Sequence, residues 1–369
     1  MSLASRLPDF PWDRLQPARD KAAGAPGGLV DLSVGTPVDP APAVVQHALA
    51  AAADAPGYPL TAGTPALRTA IAAFLGTRFG VADLAPSAVL PTIGSKELVA
   101  WLPTLLGVGL GDVVVHPELA YPTYDVGARL AGATPVHADD PQALTDLGSV
   151  AGPVRLLWVN SPANPTGRVL SPEQLRALVA WARGHGVVLA SDECYAEFGW
   201  EVDPVSVLHP DICGSSHEGV LAIHSLSKRS NVAGYRGAFL AGDPALVAEL
   251  LEVRKHAGMI VPAPVQAAMV AALGDPDHVA EQRARYAARR TALRAALAGA
   301  GFTIEHSEAG LYLWCSRGED CWATVNWLAE RGILVAPGDF YGPAGARNVR
   351  VALTATDERV AAAVERLRG

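Results

Sequence analysis

The segment His224-Ser225-Leu226-Ser227-Lys228-Arg229 directly follows an apolar run, 220–223, that reads as a strand. An unprotonated lysine amine can form an imine with an aldehyde. The hydroxyls of Ser225 and Ser227, with Arg236 eight residues beyond Lys228, could hold a phosphate beside that imine. A lysine in a polar loop is otherwise an ordinary solvated charge, so the segment needs partners elsewhere. Asp192 and Tyr195 supply one possibility, in Ser191-Asp192-Glu193-Cys194-Tyr195 after the strand candidate 187–190. An acid at a strand's carboxyl end can pair with a pyridinium nitrogen and keep the ring protonated, an electron sink, while Tyr195 could reach the ring's phenolic oxygen. The competing reading is a helix-start acid with a core tyrosine.

Three further segments add to this. In Asn160-Ser161-Pro162-Ala163-Asn164-Pro165-Thr166-Gly167 two prolines fix the backbone, so that Asn164 could donate to a phenolate; the same pattern is also an ordinary turn signal. Gly94-Ser95-Lys96 opens a helix candidate, whose free N–H groups and dipole suit an anion, although the spacing is not that of a Walker A loop. Arg350 interrupts an apolar run, 349–353, and a charge so placed needs either an ion-pair partner or a bound carboxylate.

The elements that must position these residues follow from periodicity. Strand candidates at 113–115, 156–159, 187–190, 220–223 and 238–241 alternate with helix candidates at 65–75, 96–106, 124–131 and 172–184, the last with Ser171 as N-cap and Pro172 at its first position. Such alternation predicts an α/β chain with a mostly parallel sheet covered by helices. Beyond Asp275 the pattern changes to a long helix over 278–300 and short strands at 310–314 and 349–353, a smaller α+β unit. The expected division is a large unit over 36–277, with 1–35 and 278–369 forming an N-terminal arm plus the small domain; the proline-rich start reads as an extended arm. Among the 369 residues, 37 acidic against 29 basic residues disfavour nucleic-acid wrapping. The four cysteines show no metal-ligand spacing, so no metal is expected. With no apolar leader and no span-length apolar run, a cytoplasmic protein without membrane contact is expected.

Taken together, in this order, these segments resemble the fold-type I, pyridoxal-phosphate-dependent aminotransferases of class I/II, over nearly the whole chain. The resemblance implies pyridoxal 5′-phosphate as cofactor, with Lys228 as the Schiff-base lysine that also moves the substrate proton. It implies Asp192 at the pyridine nitrogen, Asn164 and Tyr195 at the phenolic oxygen, and Ser225, Arg236 and the Gly94-Ser95-Lys96 turn at the phosphate. Tyr121 would stack on the ring, with Tyr124 close by as a rival. Arg350, with Gly35, would take the substrate α-carboxylate. Tyr58, in Gly57-Tyr58-Pro59, would reach the phosphate of a neighbouring subunit, implying a homodimer with shared sites.

Within the class, the segments 3–12, 117–124 and 254–259 are most similar to actinobacterial-type N-succinyldiaminopimelate aminotransferases. That would imply exchange between glutamate/2-oxoglutarate and N-succinyl-LL-2,6-diaminopimelate and its 6-oxo partner, in lysine biosynthesis. Both substrates carry a distal carboxylate; Arg14, Arg229, Arg254, Lys255 and His256 are candidates to read it, each also readable as a surface or packing residue. The rivals are another amino-acid transaminase or a carbon–sulfur β-lyase on the same scaffold. A cofactor-sensing regulator is a further rival, but no helix-turn-helix fits ahead of the first strands.

Overall fold

The computed structural model describes residues 3–139, 143–144 and 152–368. A short strand β1 (Val30–Asp31) precedes the seven of the main sheet, β2 (Val89–Ile93), β3 (Val113–His116), β4 (Thr134–His137), β5 (Val154–Asn160), β6 (Val188–Asp192), β7 (Val220–Ser225) and β8 (Gly237–Gly242). Their spatial order is β2-β8-β7-β6-β5-β3-β4. Strands β7, β6, β5, β3 and β4 run parallel, and β8 is antiparallel to both its neighbours. The mostly parallel sheet expected from periodicity is present. The two strands without a sequence signal, β2 and β4, are the sheet's edges, and each contains a proline, Pro91 and Pro135. Proline withholds a ladder donor and is tolerated only at such edges.

Side chains along each central strand alternate between two cores. Val113, Val115, Leu157, Val159, Leu189 and Ala222 pack on one face, and Val114, Leu156, Trp158, Ala190, Leu221 and Ile223 on the other. Burial on both faces is why these strands read as continuous apolar runs. The helices expected between strands form at Pro65–Phe79, Ser95–Leu105, Thr123–Ala131 and Pro172–Gly184. The last opens on a reciprocal capping box, Ser171 with Gln174.

After the long helix Asp277–Gly299 come β9 (Thr303–Glu305), β10 (Tyr312–Ser316), β11 (Ile333–Leu334), β12 (Ala336–Pro337) and β13 (Val349–Ala352). An antiparallel sheet of order β12-β13-β10-β9 holds Arg350 on an inner strand. Strand β11 pairs in parallel with β1, which ties the N-terminal residues to this C-terminal layer. The extended N-terminal arm is corrected by the structure: 3-10 turns at Ala4–Arg6 and Pro11–Leu15 lead into a helix, Gln16–Ala23. Pro11 and Pro17 sit in first-turn positions, where the missing N–H costs nothing. Leu15, Ala18 and Ala22 are thereby buried in the C-terminal core.

Candidate active site

Because β3, β5, β6 and β7 are parallel, their carboxyl ends emerge along one edge, carrying His116, Asn160, Asp192 and Ser225 as terminal residues. The ladder register sets Asn160 directly opposite Asp192. A cavity of about 990 Å³ opens at this edge, closed on the far side by Tyr312, Tyr341 and Arg350 of the C-terminal layer. Of the residues singled out by sequence, Gly35, Ser95, Lys96, Tyr121, Asn164, Asp192, Tyr195, Ser225, Lys228, Arg236 and Arg350 line it.

Asp192 is buried, its Oδ2 accepting from Tyr124 Oη at 2.8 Å and its Oδ1 from the Cys194 backbone N–H at 3.1 Å. Burial, and then the Asp192 charge, push the Tyr124 hydroxyl well above the usual phenol range, so it stays a neutral donor. Tyr124 is thus a support for the carboxylate, which leaves Tyr121 as the aromatic free to cover a ring. Lys228 sits in the short turn of helix Leu226–Arg229, opened by Ser225, whose hydroxyl accepts from Ser227 N–H at 3.1 Å. The Lys228 ammonium makes no hydrogen bond or ion pair among the described residues, so its amine is available to a ligand.

Asn160 donates from Nδ2 to the Asp192 carbonyl at 2.9 Å and accepts the Asn164 backbone N–H at 2.8 Å. Asn164 Oδ1 in turn accepts from Arg350 Nη1 at 2.8 Å, so the Asn164 Nδ2 donor is left facing the cavity region. Arg350 also donates Nη2 to the Ser33 carbonyl at 2.7 Å, and its guanidinium lies 3.9 Å from the Tyr312 ring centroid. It is 3% exposed, and its Nε is buried with no partner among the described residues. A buried guanidinium N–H without an acceptor is an unmet donor that a carboxylate could satisfy. Gly35 is needed beside it, since a Cβ there would run into the Tyr312 phenol. Tyr195 shares a hydrogen bond with Tyr312 Oη at 2.9 Å, and burial raises its hydroxyl well above the usual range.

Arg236 packs its guanidinium against Gly94, which has a positive φ of 79°; any side chain at 94 would displace it. Its Nη1 donates to the Ala233 carbonyl at 2.9 Å. Arg236, Ser225, Ser95 and the amino end of helix Ser95–Leu105 form one polar corner of the cavity. The Lys96 ammonium lies 5.8 Å and 6.0 Å from the ring centroids of Phe10 and Tyr121. Tyr58 is 99% exposed and lines none of the cavity. Among the distal-cation candidates only Arg14 lines it, paired with Asp339 at 3.0 Å. Arg229 is buried against Glu197, Arg254 against Glu97, and Lys255 pairs with Glu252, none of them at the cavity. His256 is exposed away from it too.

The polar corner, the acid backed by Tyr124, the unpaired lysine and the cradle at Gly94 fit a phosphorylated pyridine aldehyde in donor type and position. Residues 28–367 match the model of the family described as aminotransferase class I and II. The chain belongs to that family. It is a pyridoxal-phosphate-dependent transaminase of α/β fold. It is 63% identical, over 99% of its length and 86% of the relative's, to a probable aminotransferase of Mycobacterium tuberculosis. It is 62% identical, over 98% of its length and 99% of the relative's, to the 4-dedimethylamino-4-oxo-anhydrotetracycline transaminase OxyQ of Streptomyces rimosus. A solved aminotransferase from Neisseria meningitidis superposes with a TM-score of 0.89 at 32% identity, covering 100% of this chain and 98% of that one. An LL-diaminopimelate aminotransferase of Gloeobacter violaceus is 33% identical over 98% of this chain and 96% of the relative.

Sequence reasoning missed the supports of this transaminase site: Tyr124 on Asp192, Asn160 on Asn164, Tyr312 and Tyr341 around Arg350. Asn160 could have been suspected as a polar residue ending an apolar strand; the tyrosines carried no such signal. His116 was missed too. It is buried, with Nδ1 donating to the Pro117 carbonyl at 2.9 Å and Nε2 unpartnered among the described residues. Burial pushes its pKa down to about 4, so the folded chain keeps it neutral where the unfolded chain protonates. Stability should therefore fall by about 2 kcal/mol from this residue as pH drops from about 7.5 to about 5. Urea unfolding at the two pH values should show that difference shrinking in His116→Gln; an unchanged difference would refute the assignment.

Proposed function

We propose that this transaminase exchanges an amino group between glutamate/2-oxoglutarate and N-succinyl-LL-2,6-diaminopimelate with its 6-oxo partner, as a cytoplasmic homodimer. The observation carrying this reading is the buried guanidinium of Arg350, whose Nε has no partner among the described residues, on the wall of a cavity large enough for an extended second arm. The relatives named LL-diaminopimelate aminotransferase, at 30–33% identity, support the substrate class. In the same reading 36–277 form the large unit, with 1–35 and 278–369 as arm and small domain, and no helix among the described residues is long and apolar enough to cross a membrane.

The residues divide the work as follows. Pyridoxal phosphate, when bound, supplies an electron-withdrawing ring that weakens the substrate Cα–H bond. Ser225, Arg236, Gly94 and Ser95 hold its phosphate, with Tyr58 of one subunit completing the cup of the other. Asp192 keeps the ring nitrogen protonated, and Asn164 and Tyr195 donate to the phenolic oxygen. Tyr121 covers the ring. Lys228 would act as the base that takes the substrate Cα proton and holds it for return. Arg350 and Gly35 fix the carboxylate so that Cα–H, and not the carboxylate bond, stands across the ring, and orientation of this kind accounts for several orders of magnitude in rate.

A second reading has its own support. The 62% identity to OxyQ, a transaminase named for an oxo-anhydrotetracycline, together with the aromatic cavity wall of Phe10, Trp12 and Phe340, favours a bulky ketone acceptor. A half-reaction screen followed by the cofactor's visible absorbance separates the two. Glutamate and N-succinyl-LL-2,6-diaminopimelate should each complete a half-reaction. Failure of the latter alongside turnover of polycyclic ketones would replace the first reading by the second, and pyruvate release without an acceptor would indicate a lyase.

A further inference from the structure

Strand β10 opens on Tyr312 and pairs with β13, where Trp314 lies opposite Arg350. Side chains two positions apart share a strand's face, so Tyr312 is the diagonal neighbour of Arg350, and the guanidinium lies 3.9 Å from its ring centroid. The Tyr312 hydroxyl meets that of Tyr195, 117 residues away in the chain and just beyond β6, at 2.9 Å. The two rings stand edge to face at 68°, with centroids 5.5 Å apart. Both residues are buried and both line the cavity. Neither hydroxyl has a second hydrogen bond among the described residues. The Tyr312 oxygen is also crowded by Gly35, where a Cβ would run into it.

Two hydroxyls joined by one hydrogen bond hold two hydrogens and use one. If Tyr195 donates to Tyr312, the spare hydrogen sits on Tyr312, beside Gly35, where no described group accepts it. If Tyr312 donates to Tyr195, the spare hydrogen belongs to Tyr195, and an acceptor in the cavity can take it. An anionic acceptor there selects the second arrangement. A charge-assisted bond is about twice as strong as a neutral one, and a chain of hydroxyls ending on it is polarised along its length. We propose that Tyr312 is a positioning residue whose hydroxyl donates to Tyr195 and thereby directs the Tyr195 hydrogen to the cofactor's phenolic oxygen. The inference rests on the reading above that Tyr195 serves that oxygen. Tyr312 belongs to the C-terminal layer, so the direction of a hydrogen bond made from the main sheet's edge is set from across the cavity.

The test uses the holoenzyme and reads the pH at which the bound cofactor's visible band changes from one form to the other. A hydrogen bond donated to the phenolic oxygen stabilises its negative charge and weakens the hold of the conjugated nitrogen on its proton. Loss of that bond therefore raises the midpoint. Tyr195→Phe should raise it by about one to two pH units. Tyr312→Phe keeps the ring beside Arg350, removes only the hydroxyl, and should raise it by about half a pH unit. The double variant should match Tyr195→Phe alone, because Tyr312 acts through Tyr195. With Tyr195→Phe shifted as expected, a midpoint unmoved or lowered in Tyr312→Phe would overturn the proposal and leave the reading of Tyr195 intact. Additive shifts in the double variant would overturn it too, since Tyr312 would then act by another route. A midpoint unmoved in Tyr195→Phe would end the reading of Tyr195 itself, and the inference with it.

Discussion

Lys228→Ala should fold and bind cofactor yet lose the half-reaction with any amino donor by at least about 10⁴-fold, because covalent attachment and proton transfer are removed together. The structural reason lies in isolation. The Lys228 side chain makes no hydrogen bond or ion pair among the described residues, so its removal should cost the fold under about 1 kcal/mol. Its neighbours Ser225 and Arg236, and the Asp192–Tyr124 pair, stay in place to receive phosphate and ring. Stopped-flow absorbance of the bound cofactor measures the rate, and circular dichroism with thermal melting measures the fold. In the natural enzyme, borohydride should fix the cofactor to Lys228 and to no other lysine. Natural rates in the alanine variant, or label found on another residue, would remove Lys228 from the chemistry.

Arg350→Lys should lower kcat/KM for α-amino acids by about 10²- to 10³-fold while amines lacking a carboxylate lose far less. Lysine retains the charge but cannot reproduce the fork that reaches Asn164 Oδ1 and the Ser33 carbonyl at once and still keeps an unpartnered Nε–H donor. About 3–4 kcal/mol is the usual loss when a buried, charge-assisted contact is broken on one side. Part of that loss would come through Asn164, whose carboxamide is oriented by the same guanidinium. Equal losses for carboxylate-bearing and carboxylate-free donors would mean that Arg350 is a structural support only. The comparison matters because Arg350 was readable from sequence in two ways, as a clamp or as an ion-pair partner. The structure contains no ion pair for it among the described residues; its partners are a carboxamide, a carbonyl and two aromatic rings.

Much of this protein is legible without coordinates, for a local reason. A strand buried on both faces must be apolar throughout, so β3, β5, β6, β7 and β8 announce themselves as runs. Residues that follow such a run must emerge at a sheet edge, which is why Asn164, Asp192 and Lys228 could be picked out as neighbours although 64 residues separate the first and the last. The edge strands β2 and β4, each broken by a proline, and the antiparallel direction of β8 were not legible, because direction and edge position depend on the rest of the sheet and not on the strand's own residues.

What the amino-acid sequence determined by itself was the alternating α/β pattern, the residues able to bear an imine, a ring nitrogen and a phosphate, and the membership that those residues together imply. Tertiary structure alone decided their supports and their directions. Tyr124 became the partner of Asp192; Arg14 went to Asp339 and Arg254 to Glu97; Lys96 came to lie near the rings of Phe10 and Tyr121. The physical reason is that residue type and strand register are short-range properties of the chain, whereas the partner of a charge or a hydroxyl is whichever group packing brings within about 3 Å of it, and that group can lie hundreds of residues away.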